Sequence, residues 1–324
     1  MEIINHSDFF KITENFSYKP FNQSIGWYRM HSYYHPERII FLINDLQKPT
    51  IACFAHEKRM FGIKMLLIEG ECYKNKEALN TTAIRDFYKS VTELGYNIIE
   101  ICSNALYDFG YETALRQAGY LRPVGQFSLP STKIIRLDEP IKLNRAWKRN
   151  LKKASACNLN LEQINHVGDN ESDDFIRIYS EMTTRKSLHQ PFNKEQIREL
   201  CSDKEIQLFF VTQSDKRIAG LILYVNTNFA IPIYAASNLQ ARETSASYYM
   251  YDELFKHLIR RGIFVFDLAK LLPSTEGVNN VFNFKNGIQG SHIQLNGEWS
   301  WYNHTVYRPL MYFVKKYLMK KKEL

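Results

Sequence analysis

The chain has few cysteines and no long apolar segment. Its 324 residues include five scattered cysteines, and no Cys-x-x-Cys spacing occurs. An odd, scattered set is typical of reduced thiols rather than of a disulfide framework. No apolar run approaches the roughly 20 residues that a membrane-spanning helix needs, and four charged side chains interrupt residues 1–16, where a signal peptide would be apolar. We therefore expect a cytoplasmic protein, at most peripheral to the inner face of a membrane.

Several common catalytic patterns are also missing. The sequence contains no Gly-x-Ser-x-Gly elbow, no P-loop and no Gly-x-Gly-x-x-Gly run, which argues against the enzyme classes built on them. His31 and His35 have the i,i+4 spacing of metal ligands, but Pro36 follows and no acidic residue lies between them. A surface or partly buried pair explains them better, and we expect no metal site.

The net charge indicates an anionic partner. The formal charge is +8 with a pI near 9.0, while the hydrophobic share of 45% and the charged share of 23% are ordinary for a globular protein. A basic surface favours a phosphate-bearing carrier, RNA or a membrane surface, although charge alone says nothing about fold.

The sequence matches itself at an offset of 167 residues. Residues 94–100 resemble residues 261–267, since each is a helix end stopped by glycine and followed by a short apolar strand that ends on a carboxylate. Residues 51–53 match residues 218–220 at the same offset. Two copies of one module are indicated. We predict an α/β (α+β) protein with two tandem modules, each a mixed sheet flanked by helices, over residues 1–140 and 158–324, joined by a helix at 141–157.

The second module has the layout of a GNAT acyltransferase. A strand at residues 229–236 precedes a loop, a helix at 248–260 and a second strand at 264–268. In that fold the strand and helix splay apart, and the loop that opens the helix presents backbone N–H groups to a phosphate. Here the loop, residues 237–246, lacks the glycine-rich run that wraps coenzyme A pyrophosphate. We expect no tightly bound cofactor.

The segment between the modules is strongly basic. Residues 142–153 contain six basic and no acidic residues, and helical spacing places four of the cations together: Arg145, Lys148, Arg149 and Lys152. A charge run is usually a solvated helix face, but six cations without one anion repel each other. We favour binding of phosphates.

Four segments together resemble the FemAB-like transferases. They are the basic stretch 147–154, the strand end Phe266-Asp267-Leu268-Ala269, the run Ser274-Thr275-Glu276-Gly277, and residues 284–290. The resemblance covers about residues 20–310, but the helical-hairpin arm of the larger members is missing. It implies an N-acyltransferase that moves an acyl or aminoacyl group from acyl-CoA or aminoacyl-tRNA to an amine of a cell-envelope glycan or peptidoglycan precursor, which is nucleotide- or lipid-linked.

The resemblance also suggests site residues. Lys285 would stabilise the developing oxyanion or bind a phosphate, and Asp267 would accept the amine proton, although a cap on the following turn explains Asp267 equally well. A helix is predicted at residues 173–183, and the predicted cleft opens just after it. Further candidates for substrate binding lie near this cleft: Arg185, Lys186, Tyr234, Arg242 and Phe284. Core packing is an equal explanation for Phe284. The first module has Glu100 in place of Asp267 and Gln117 in place of Lys285, so we expect only the second module to be catalytic.

The C-terminal stretch, residues 308–322, is basic and amphipathic. It either rests on an anionic membrane surface or packs on the second module with a solvated lysine tail. Two rival functions remain open at this point: a non-catalytic module that binds tRNA or an anionic glycan, and a peripheral-membrane scaffold.

Overall fold

The computed structural model describes residues 1–60, 62–75, 80–125, 130–186, 192–271 and 280–319. The chain divides into two units. The first contains Met1–Ser131 and Ile293–Leu324, and the second contains Thr132–His292. The segment from Ile293 onward therefore groups with the first unit, whereas the sequence placed it in the second module.

The first part of the chain forms a sheet with helices. Its elements are β1 (Glu2–Ile4), α1 (His6–Thr13), α2 (Ile25–Ser32), β2 (Ile39–Ile43), β3 (Ile51–Met60), β4 (Ile63–Ile68), β5 (Cys72–Tyr73), α3 (Thr81–Thr92), β6 (Ile98–Leu106) and α4 (Phe109–Gln117). Strands β1 to β4 pair antiparallel in sequence order, and β6 then joins β4 in parallel. Apolar residues at helical spacing predict one helix over residues 77–93, and this helix is α3. Residues 76–79 lie outside the described residues.

The middle of the chain repeats this order. Its elements are β7 (Ser131–Arg136), α5 (Arg145–Ser155), β8 (Leu159–Ile164), α6 (Asp169–Lys186), α7 (Lys194–Leu200), β9 (Ile206–Gln213), β10 (Lys216–Asn226), β11 (Phe229–Ser237), α8 (Leu239–Glu243), α9 (Ala246–Arg260), β12 (Val265–Asp267) and α10 (Asn280–Asn286). Strands β8 to β11 pair antiparallel in sequence order, and β12 joins β11 in parallel.

The end of the chain returns to the first unit. It consists of β13 (Ser291–Tyr302), α11 (Tyr307–Phe313) and a π-helical turn, Val314–Leu318. Strand β13 pairs antiparallel with β6 of the first unit, while β7 pairs antiparallel with β12 of the second unit. Each sheet is thus completed by the strand that follows the other copy in sequence. This exchange is the physical reason why the terminal segment belongs to the first unit.

The predicted fold class is confirmed. Both units present two helices, three antiparallel strands, a helix, a strand parallel to the third, and a further helix in the same order. Each sheet buries one large apolar cluster, centred on residues such as Leu66 and Tyr88 in the first unit and Leu221 and Leu254 in the second. Helices cover these apolar faces, as expected when sheet residues must be removed from water.

Three local expectations need correction. Glu100 does not end its strand, because β6 continues to Leu106. The Glu100 carboxylate forms an ion pair with Lys315 at 2.5 Å. Arg185 and Lys186 do not follow a helix but form its last turn, where cations are favourable near the helix C-terminus. The predicted loop 237–246 contains the short helix α8, whose N-cap Asn238 accepts the N–H of Ala241 at 2.9 Å.

Candidate active site

The parallel strands β11 and β12 part after two residues. Phe229 and Ala230 pair with Val265 and Phe266, whereas β11 continues to Ser237 with β10 as its partner on the other side. Beyond Ala230, the edge of β11 on the β12 side pairs with no other described strand. Ala235 is exposed in the middle of this strand. Such an edge can hydrogen-bond an extended ligand chain.

Asp267 lies at the end of β12, next to this opening. It is only 8% exposed, and its carboxylate accepts hydrogen bonds from the Thr132 hydroxyl and from the Ala269 N–H, the latter at 2.7 Å. Burial raises the pKa of Asp267 to about 6, although these two hydrogen bonds and the charge of Lys285 act in the opposite direction. Asp267 thus caps the turn that follows the strand, and it can also exchange a proton near neutral pH.

Lys285 faces the same turn from α10. Its ammonium group donates hydrogen bonds to the carbonyl oxygens of Lys270 at 2.8 Å and Ala269 at 3.3 Å. Ala269 has a φ of +60°, a left-handed conformation that costs energy for a residue with a side chain. Burial lowers the pKa of Lys285 to about 8, although Asp267 acts to raise it. Lys285 therefore holds this strained turn and remains a cation at neutral pH with one further proton to donate.

Two neighbours of this pair were not predicted from the sequence. Thr132 and Lys133 lie on β7, in register with the end of β12. Lys133 is 3% exposed, and its ammonium group lies 3.3 Å from Oδ1 of Asn286 and 3.4 Å from the Asn286 carbonyl oxygen. Burial lowers the pKa of Lys133. Sequence offered no signal for them, because the strand pairing joins positions about 135 residues apart.

The N-terminus of α9 has no side-chain cap. Ser245 occupies the N-cap position with a φ of +58°, and its side chain does not bond the first turn of the helix. The first amide groups of a helix carry partial positive charge and favour anions when no side chain caps them. Asn150 of α5 lies beside this end, with its Oδ1 at 3.5 Å from the Ser245 hydroxyl.

Three predicted cations gather at the end of β11. Arg185 donates from Nη2 to the Ser237 carbonyl oxygen at 3.1 Å. The pKa of Lys186 is lowered by burial, and also by the charges of Arg185 and Arg242. Because none of the three forms an ion pair within the described part of the chain, their mutual repulsion is uncompensated. A cavity of about 580 Å³ adjoins Arg185 and Leu239.

Tyr234 belongs to an aromatic cluster on the same strand. Its ring lies 4.5 Å from the ring of Phe192 and 6.2 Å from that of Tyr179. The Tyr234 side chain is half-buried. It therefore has a packing role and still offers part of its ring to the open side of the strand.

The basic helix α5 packs on the second unit through Trp147. This side chain is 1% exposed, its ring lies 4.8 Å from Tyr248 and 5.3 Å from Phe284, and its Nε1 donates to the Phe284 carbonyl oxygen at 2.9 Å. Phe284 is half-buried and also contacts Tyr251. The structure therefore gives Phe284 a packing role, which was one of its two interpretations.

The cations of α5 lie on its exposed face, as the sequence spacing predicts. Arg145, Lys148, Arg149 and Lys152 are all exposed, and none of them forms an ion pair with another described residue. Arg149 is close enough to Tyr248 for its charge to act on that hydroxyl. A cationic surface therefore adjoins the uncapped end of α9.

The two histidines of the i,i+4 pair have different neighbours. His31 packs against Trp27 and His56, with ring centroids at 4.6 Å and 5.1 Å, whereas His35 approaches Glu37 at 3.3 Å. Within the described ranges, no group of three or more potential ligands could hold a metal ion. The run at residues 274–277, which contributed to the family resemblance, lies outside the described residues.

Comparisons with known proteins agree with this geometry. Residues 142–282 match the sequence model of the acetyltransferase (GNAT) domain. The FemX crystal structure superposes with a TM-score of 0.72 at 12% identity, covering 96% of this chain and 100% of that chain. L-PGS from Bacillus licheniformis gives a TM-score of 0.67 at 10% identity and covers 99% of each chain.

A third structure bears on the duplication. A tandem GNAT protein from the clavulanic acid biosynthesis pathway gives a TM-score of 0.50 at 9% identity, covering 82% of each chain. A sequence search of curated proteins finds no match. The structural likenesses show the fold, and the domain match supports an acyltransferase. The chain thus has a GNAT fold, and residues 142–282 carry the sequence signature of a GNAT acetyltransferase domain.

Proposed function

We propose that this chain is an N-acyltransferase that acts on an amine of a cell-envelope glycan or peptidoglycan precursor. The observation that carries the proposal is the pair Asp267 and Lys285 beside the edge of β11 beyond Ala230, where Asp267 is buried, Lys285 is half-buried, and burial shifts the pKa values of both. The donor is a phosphate-bearing carrier, either acyl-CoA or aminoacyl-tRNA. The structural relatives include the C-terminal domain of a protein from Agrobacterium fabrum described as a lysylphosphatidylglycerol synthetase, and the lipid in that name supports an envelope role.

The reaction needs a proton acceptor and an oxyanion donor rather than a covalent nucleophile. The acceptor amine attacks the carbonyl carbon of the donor ester or thioester, and a C–N bond forms. Lys285 stabilises the negative charge that develops on the carbonyl oxygen. The C–O or C–S bond to the carrier then breaks, and the ammonium proton passes to Asp267, whose raised pKa suits proton transfer near neutral pH. Asp267 returns that proton to the leaving group or to solvent.

The cationic surfaces would hold the carrier. Phosphates would bind at the uncapped N-terminus of α9, between Arg149 on one side and the group of Arg185, Lys186 and Arg242 on the other. Tyr234 would contact the part of the donor that lies along β11. The absence of a glycine-rich loop at residues 237–246 argues against the usual wrapping of pyrophosphate, which favours the larger carrier.

The experiment offers the purified chain both donor classes in parallel. A mixture of aminoacyl-tRNAs and a panel of acyl-CoA thioesters would each be incubated with amino sugars and with peptidoglycan precursors, both supplied in nucleotide-linked and in lipid-linked form. Mass spectrometry of the acceptor should show one acyl or aminoacyl addition with one donor class. Binding of unacylated tRNA without any transfer would instead support the non-catalytic module.

A further inference from the structure

The terminal helix, which consists of α11 and the π-helical turn that continues it, presents a row of large apolar side chains to solvent. Val306, Leu310, Phe313 and Tyr317 recur at i, i+4, i+7 and i+11, so they lie along one side of the helix. Their exposed fractions are 60%, 38%, 52% and 55%. We call this row the terminal stripe. Leu318 and Met319 extend it with exposures of 59% and 54%.

The opposite side of the helix is anchored in the first unit. Met311 and Val314 are each 3% exposed, and Met311 packs in a cluster with Met65 and Ile98. Lys315 is buried as well and forms its ion pair with Glu100 at 2.5 Å. Burial acts to lower the pKa of Lys315, but Glu100 outweighs it and the pKa is raised. These contacts hold the helix in a fixed orientation. The terminal stripe therefore faces outward because the opposite side of the helix is packed on the first unit.

The other exposed apolar residues around the start of α4 share no helix face in the described structure. Leu106 at the end of β6, Tyr107 directly after it and Phe109 at the start of α4 are 47%, 40% and 75% exposed. Isolated exposed apolar residues are common on soluble proteins, whereas a contiguous apolar patch marks an interaction surface. The terminal stripe is a contiguous apolar patch of this type.

The segment that carries the terminal stripe is basic in sequence. Residues 303–322 contain six lysines and arginines and no aspartate or glutamate. Lys316 lies 5.1 Å from the centre of the Tyr312 ring and 5.9 Å from that of Tyr317, directly beside the stripe. The sequence continues with Lys320, Lys321 and Lys322. Lys58 is exposed on β3, opposite Met65 of the cluster that anchors the helix.

We propose that the terminal stripe binds the surface of a lipid bilayer that contains anionic headgroups. Leu, Phe, Tyr and Met side chains enter the boundary between headgroups and acyl chains, while the flanking lysines meet the negative surface potential. A second copy of this chain is a poorer occupant, since it would bring a second cationic segment against the first within a molecule of net charge +8. Among the described residues no helix is both long and apolar enough to cross a membrane, so the association is peripheral.

This surface deepens the proposed function by fixing the source of the acceptor as a lipid-linked precursor. The binding itself requires neither donor nor acceptor. It can therefore fail while acyl transfer is observed, and the two proposals are tested separately.

The test compares two double variants that each lose one Phe and one Tyr. Phe313→Ser with Tyr317→Ser removes the centre of the terminal stripe, and Phe109→Ser with Tyr107→Ser removes exposed residues elsewhere in the same unit. Co-sedimentation is measured with phosphatidylcholine vesicles that contain phosphatidylglycerol, and with phosphatidylcholine alone. The parent and the control should bind the anionic vesicles, and the stripe variant should bind roughly tenfold or more weakly. Binding of the parent should fall with added salt and be weaker to phosphatidylcholine alone.

Circular dichroism and a further variant exclude misfolding as the cause. Phe313→Leu with Tyr317→Leu keeps the stripe apolar and should retain most of the vesicle binding. Equal binding by the stripe variant and the control would overturn the proposal, as would a parent that does not sediment with anionic vesicles. Analytical ultracentrifugation tests whether a second copy of the chain covers this face instead. If the parent is a dimer that does not bind vesicles, and the stripe variant is a monomer, the face is an interface between copies.

Discussion

At the residue scale, burial rather than residue type distinguishes Asp267 and Lys285. The sequence indicated their positions, a strand end and the last turn of a helix, but not that desolvation would bring their pKa values to about 6 and about 8. Nor could it reveal Thr132, which reaches Asp267 through the pairing of β7 with β12. Such long-range partners depend on strand register, which no local pattern records. The sequence therefore indicated Asp267 and Lys285 but not the residues of β7 that lie beside them.

Asp267→Asn should change how stability depends on pH. The folded state holds the Asp267 proton more tightly than the unfolded chain, whose pKa stays near 3.8. The contribution of this group to stability is therefore complete below pH 4 and is lost as the pH rises through about 6. Between about pH 5 and about pH 7 the parent should lose about 1 kcal/mol that the variant does not lose. Urea unfolding at the two pH values measures this difference. Parallel behaviour of the two proteins would show that the carboxyl titrates normally.

Trp147→Ala should destabilise the second unit by roughly 3–5 kcal/mol, because it leaves a large cavity and removes the hydrogen bond from the indole to the Phe284 carbonyl oxygen. The fit is close: a Cβ added to Gly287 would lie 2.6 Å from Cδ1 of Trp147. Trp147→Phe should cost less, and Lys148→Ala, on the exposed face of the same helix, should have little effect. Thermal unfolding of the three variants provides the comparison. A small loss for the alanine variant would mean that α5 is not needed to hold α10.

At the scale of elements, the sequence predicted most helices and strands because each carries a local signal. The helix α5 shows this well, since Asn144 caps it by accepting the Trp147 N–H at 2.9 Å and its cations are exposed as the spacing requires. Helices α1, α2, α7 and α8 and strands β7, β8 and β13 were not predicted from the sequence, and α6 continues beyond its predicted end to Lys186. Five-residue helices have too little periodicity to be recognised, and helix ends are the least certain part of any such prediction.

Arg149→Ala combined with Lys152→Ala should weaken binding of an anionic carrier. Each lost phosphate contact lowers the slope of log affinity against log salt by about one. Fluorescence anisotropy with unacylated tRNA as the probe measures both quantities. Lys204→Ala combined with Arg260→Ala is the matched control, since it removes the same two residue types from exposed positions of the same unit. If both variants lose affinity equally, the tRNA responds to net charge and not to α5.

At the scale of the whole molecule, the sequence revealed the duplication but not the exchange of strands. A self-match records which segments were copied, whereas the partner of β7 or β13 depends on where the chain runs after α4 and α10. The terminal helix illustrates the same limit. Its amphipathic pattern fitted either a packed or a membrane-bound helix, and only the structure shows that it packs on the first unit and still exposes an apolar row.

The central claim is that the second unit transfers an acyl group at Asp267 and Lys285. The direct measurement is the single-turnover rate of acyl transfer, with the donor that the parent uses, for Lys285→Ala and for the exposed control Lys204→Ala. Loss of a charge that stabilises the oxyanion should slow the first variant by roughly a hundredfold or more, while donor binding and folding are kept and the control is unchanged. Transfer by a folded Lys285→Ala protein at the parent rate would contradict the account.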